Sequence, residues 1–142
     1  VMQGRSLILG LAAVLGIGGV ANGLFMLVDP ANWYLAVPGV TTTGPFNQHF
    51  IRDIGLIFAL IGAAMLGGAM LAAQRVKLWS ASASWLTGHA LFHLWEVSVG
   101  ICGSDAIARD FPAVTLPAIL STALACWAWR DARRSKAQNA FS

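Results

Sequence analysis

Four largely apolar runs dominate this chain, at about residues 7–28, 50–73, 80–101 and 111–129. Each has roughly the ~20 residues that cross a ~30 Å hydrocarbon core as a helix. In lipid, only helices and closed barrels satisfy their own backbone hydrogen bonds. The runs lack the strict alternation of barrel strands, so the expected fold class is all-α. The sequence predicts one domain over residues 1–142, an integral membrane four-helix bundle. Charged residues make up only 11% of the chain against 57% hydrophobic, too little charge to cover a soluble domain. The 15 glycines lie largely inside apolar runs, where they let helix backbones approach closely.

The start of the chain has a rival reading as a signal peptide, with Arg5, an apolar run and the small residues Gly19, Val20 and Ala21. The apolar run continues through Leu24–Val28 without a polar break, which favours a retained helix. Seven of the nine basic residues flank apolar runs: Arg5, Arg75, Lys77, Arg130, Arg133, Arg134 and Lys136. That placement is a topology signal, so the net charge of +3 is not read as nucleic-acid binding. With four crossings these segments share one side, and the positive-inside rule puts both termini in the cytoplasm. Asp29, Asp105, Asp110 and Arg109 fall on the opposite side. Trp79, Trp127 and Trp129 near one interface, and Trp33 and Tyr34 near the other, form an aromatic belt.

The segment 29–48 contains Pro30, Pro38, Gly39, Gly44 and Pro45, which exclude a long helix. Its aromatic residues suggest a short piece lying on the membrane surface or folded back over the bundle. Small residues form stripes, Ala12, Gly16, Gly19 and Gly23 on the first run and Gly55, Ala59, Gly62 and Ala69 on the second. Such stripes suit either internal packing or a homo-oligomer. Cys102 and Cys126 have no CxxC spacing and are expected at different depths, hence as free thiols.

The ionisable residues within the runs are concentrated. His49 and Asp53 are one turn apart at the start of the second run, with Arg52 beside them. His89, His93 and Glu96 occur at i, i+4 and i+7 of the third, on one helical face. Ionisable groups at membrane depth face the bundle interior and pair, so Arg52 is expected near Glu96, and Asp53 near His49 or His93. Three readings stay open. One is a structural network joining the second and third helices. Another is an outward-facing pocket for a lipid head group or quinone, formed by His49, Arg52, Asp53, His93 and Glu96. The third is a metal site drawn from His49, Asp53, His89, His93 and Glu96. No nucleophile motif, phosphate loop or dinucleotide fingerprint occurs, so no catalytic residue is expected.

The segment Asn47-Gln48-His49-Phe50-Ile51-Arg52-Asp53-Ile54-Gly55, with the glycine-rich first helix and the His89/His93 helix, resembles small four-helix bacterial membrane proteins of the DoxX-like, domain-of-unknown-function group. The resemblance spans roughly residues 5 to 130. It implies the bacterial inner membrane, and one branch of the group is similar to small subunits of quinone-linked oxidoreductases. The functional expectation is binding of a small ligand or cofactor, a quinone or metal ion among the candidates. The alternative is a non-catalytic structural subunit of a larger membrane redox or energy-transducing complex.

Overall fold

The computed structural model describes residues 2–139. Its elements are α1 (Met2–Val28), α2 (Pro30–Ala36), a 3-10 turn at Val40–Thr42, α3 (Gln48–Met70), α4 (Arg75–Ser98), α5 (Asp105–Asp110), a π turn at Phe111–Thr115, and α6 (Leu116–Asn139). No strand occurs among the described residues.

Three helical stretches are long and apolar enough to cross a membrane: Gln3–Val28, Gln48–Met70 and Asp105–Gln138. The sequence reading expected four. At 24 residues α4 has the length, but Ser80, Ser82, Ser84, Thr87, His89 and His93 dilute its hydropathy. The last helix also differs from expectation. It is preceded by α5 and the π turn, and it runs on to Asn139, so Arg130, Arg133, Arg134 and Lys136 lie within it rather than beyond it.

The local chemistry explains the helix boundaries. Asp29 caps α2, its carboxylate accepting from the Asn32 backbone N–H at 3.3 Å and side-chain amide at 2.7 Å. Asn47 caps α3 by accepting from the Phe50 N–H at 3.1 Å. Pro112 lies within the π turn and Pro117 just beyond it, and neither can donate to a preceding carbonyl. The Leu116 N–H reaches five residues back to the Phe111 carbonyl, the signature of a widened turn.

The long helices pack in sequence order, α1 on α3, α3 on α4, and α4 on α6, with a lesser contact between α1 and α6. The α1–α3 interface is the closest. A Cβ built on Gly23 would lie 2.5 Å from the Ala59 nitrogen and 2.6 Å from the Gly55 oxygen. The two small-residue stripes therefore meet each other within the chain, the internal alternative left open by the sequence.

The main core lies toward the end that carries Arg5, Arg75 and Asp131, called here the basic end. It joins Ala12, Met65, Trp79, Ala83, Leu124, Ala125 and Ala128 from α1, α3, α4 and α6. Trp79 is fully buried and donates its indole N–H to the Met65 carbonyl at 3.0 Å. A smaller cluster of Leu86, Ala90 and Ala118 continues toward the opposite, loop end. There α2 is tied to α1 by the Trp33 indole N–H, which donates to Asn22 Oδ1 at 2.9 Å. The Tyr34 hydroxyl donates to the Gly44 carbonyl at 2.8 Å and folds the following loop back on itself. Cys102 and Cys126 are both free, as expected.

Candidate polar site at the loop end

One turn of α4 separates His89 from His93, and their rings meet edge to face with centroids 4.7 Å apart. His89 is flanked by the near-parallel ring of Trp85 at 6.3 Å and by the edge-on ring of Phe58, from α3, at 5.9 Å. His93 reaches across to the last residue of α5, its Nδ1 lying 2.9 Å from Asp110 Oδ2. The other carboxylate oxygen, Oδ1, accepts from Arg109 Nε at 2.9 Å. Arg109 Nη1 is also 3.6 Å from Asp105 Oδ2. The result is a continuous polar chain, His89–His93–Asp110–Arg109–Asp105, running out from the helices to the surface.

An ionised carboxylate only accepts hydrogen bonds. Opposite a carboxylate oxygen, the 2.9 Å contact therefore fits the tautomer in which His93 Nδ1 carries the hydrogen and Nε2 faces away from Asp110. The side chains of His93 and Asp110 are 28% and 15% exposed, so this contact is shielded from solvent. The space beside it, between His93, Asp110, Ile107 and Thr115, is about 10 Å³. That is at the threshold for one water molecule and far below the ~300 Å³ at which organic-ligand pockets begin.

The other expected site residues lie elsewhere. His49 Nε2 meets Asp53 Oδ2 at 3.3 Å, the expected contact, but on an open face where the two side chains are 88% and 55% exposed. Arg52 is not paired with Glu96. Its Nε donates to the Leu27 carbonyl at 3.1 Å and its Nη1 to Gln48 Oε1 at 3.3 Å. Glu96 is half-buried, and its backbone carbonyl accepts from Ile101 and Cys102 to close α4. The cause is the glycine interface: α3 lies against α1, so Arg52 serves the last turn of α1 rather than α4. Among the described residues, no three His, Cys, Asp or Glu side chains are grouped so as to hold a metal ion.

In the sequence alone, Asp110 and Arg109 belong to a connecting segment between apolar runs. The signal for them was an adjacent opposite-charge pair directly ahead of an apolar run. Arg109 does a second job, because its guanidinium lies against Gly39 in the loop after α2. Gly39 has φ +85°, a conformation that costs other residues about 1–2 kcal/mol. Gly39→Ala should therefore lift the loop from Arg109. Faster amide exchange over residues 37–46, with unchanged protection in α3 and α4, is the expected result. Unchanged exchange in the loop would show that it does not rest on this arginine.

The chain matches no protein-family model, no curated protein and no solved structure.

Proposed function

We propose that this chain is a multi-pass membrane protein whose outer half binds a proton on the His89–His93–Asp110 chain, in place of an organic ligand or a metal. In this reading α1, α3, α4 and α6 cross a bacterial inner membrane as a four-helix bundle, with both termini cytoplasmic. The three apolar stretches support membrane insertion, and α4 follows as a fourth crossing because its polar side chains are turned to partners: Ser82 to the Leu78 carbonyl, Thr87 to Thr122, His93 to Asp110. The clustering of basic residues at one end supports the orientation. The DoxX-like assignment, carried by the Asn47–Gly55 segment, belongs to the same proposal.

The observation that carries the proton reading is the 2.9 Å His93–Asp110 contact, with His89 against it and room for no more than a water beside it. Histidine is the side chain whose charge changes most readily near neutrality, and His/Asp chains at membrane depth mark proton pathways. Such a site suits a non-catalytic subunit of a proton-handling or redox membrane complex. A second reading treats the same chain as a lock holding α5 and the loop on α4, supported by the Arg109–Gly39 contact.

Nitrogen-15 spectra of the three imidazoles, in protein embedded in lipid nanodiscs, separate the two readings. Under the proton reading, His93 takes up one proton on acidification, and Asp110→Asn redistributes its tautomers while leaving His49 unchanged. A His93 signal that keeps one protonation state throughout the range in which the protein stays folded would leave only the lock.

A further inference from the structure

At the basic end, a cavity of about 290 Å³ opens between α1, α4 and α6. Arg5, Arg75, Asp131 and Ser135 supply its polar lining, and Val76 and Ala128 part of its apolar wall. Arg75 is 5% exposed yet charged, and it is fixed from several sides. Its Nε donates to the Gly68 carbonyl at 2.7 Å and its Nη2 to the Ala69 carbonyl at 3.2 Å, closing the end of α3. Its guanidinium carbon lies 5.5 Å from the Trp79 ring and 5.9 Å from the Trp127 ring. Among the described residues, its Nη1 makes no hydrogen bond to the protein. Arg5 has one partner there, Asp131, at the long distance of 3.8 Å.

The charge around the cavity is one-sided. Seven basic residues belong to this end (Arg5, Arg75, Lys77, Arg130, Arg133, Arg134 and Lys136) against the single acid Asp131. A buried guanidinium packed beside two indole rings, with donors left over, is a preorganised half of a phosphate site, because its fork matches two phosphate oxygens. The cavity is near the lower limit of small-molecule pockets, the size of a head group rather than of a whole lipid. Its alanine and valine wall gives an ester-linked glycerol an apolar surface to lie on.

We propose that this cavity binds a phosphate anion through Arg5 and Arg75, presented as the head group of an anionic phospholipid or as free phosphate. Asp131 opposes the ligand and holds Arg5 in its absence. The lipid source rests on the membrane reading above, whereas phosphate recognition does not. Arg75 also closes α3, so the test leaves it intact and works on its neighbours.

The full chain in detergent is titrated with dioleoylphosphatidylglycerol, with dioleoylglycerol as the same chains without phosphate, and with inorganic phosphate, each followed by native mass spectrometry or calorimetry. Removing one basic contact near the surface is worth about a fivefold loss in binding. Arg5→Gln should therefore weaken phosphatidylglycerol about fivefold, Asp131→Asn should strengthen it, and Arg134→Gln, outside the cavity, should leave it unchanged. The same pattern with inorganic phosphate alone would support the site and assign it a soluble ligand. Equal binding of dioleoylglycerol, an Arg134→Gln effect as large as that of Arg5→Gln, or no binding of either phosphate compound would overturn the proposal.

Discussion

Gly62→Val should strongly destabilise the folded chain by forcing α1 away from α3. A Cβ on Gly62 would lie 2.5 Å from the Gly16 carbonyl oxygen, and one on Gly19 would lie 3.0 Å from the Gly62 Cα. The obstructing atoms are backbone, so no rotamer change relieves them. Overpacking a close interface costs about 1–3 kcal/mol where side chains can yield. Here they cannot, and the expected loss is ~3 kcal/mol or more. Gly18 provides the control one residue from the interface, because nothing lies within 4 Å of its Cβ. Gly18→Val should unfold at the temperature of the parent chain in detergent, and Gly62→Val far below it. Equal unfolding temperatures for the two variants would show that α1 and α3 do not meet through this stripe.

Asp110→Ala carries the second large effect. Its two oxygens serve different partners, His93 and Arg109, and its loss leaves a cation with a 25% exposed side chain without its nearest acceptor. Breaking a shielded pair typically costs about 3–5 kcal/mol, and partial exposure places this one near 3. Asp53→Ala is the matched comparison. It also removes a carboxylate from a histidine, but on an open face, where such pairs are worth under about 1 kcal/mol. Thermal unfolding of the two variants should separate clearly. If Asp53→Ala proves the more damaging, the structural centre of the polar cluster lies at the start of α3 and not between α4 and α5.

The contrast between these carboxylates shows what could be read from residue order. Periodicity alone placed His49 beside Asp53 and His89 beside His93, because contacts within one helix follow from 100° per residue. It also found both small-residue stripes. It could not orient α3 relative to α4, since that depends on which neighbour α3 packs against most closely. Gly55, Ala59 and Gly62 settle that in favour of α1, and Arg52 goes with them to Leu27, away from Glu96. Asp110 is not marked as a site residue by its sequence context for a different reason. In sequence the stretch from Asp105 to Asp110 reads as a connection, yet an acidic first turn and a basic last turn stabilise it as a short helix. Proline, normally a stop signal, here marks a change of helical pitch within one continuous rod.

That change of pitch sets the angular phase of the rod. Ala106, Asp110, Val114 and Ala118 fall four residues apart, and all four turn toward the α4 side: Ala106 and Ala118 are buried, Asp110 holds His93, and Val114 packs on Leu86 and its neighbours. In an unbroken α-helix, twelve residues at about 100° each would carry Ala118 roughly 120° past Ala106, around onto a flank. The π turn takes up one additional residue, about 100° of that drift, leaving the four within roughly 20° of a common line. Beyond it the buried positions return to alternating steps of three and four, Ala118, Ser121, Ala125 and Ala128. A single widened turn thus keeps in alignment two stretches of helix with different repeats, and the carboxylate on one remains in step with the apolar seam on the other.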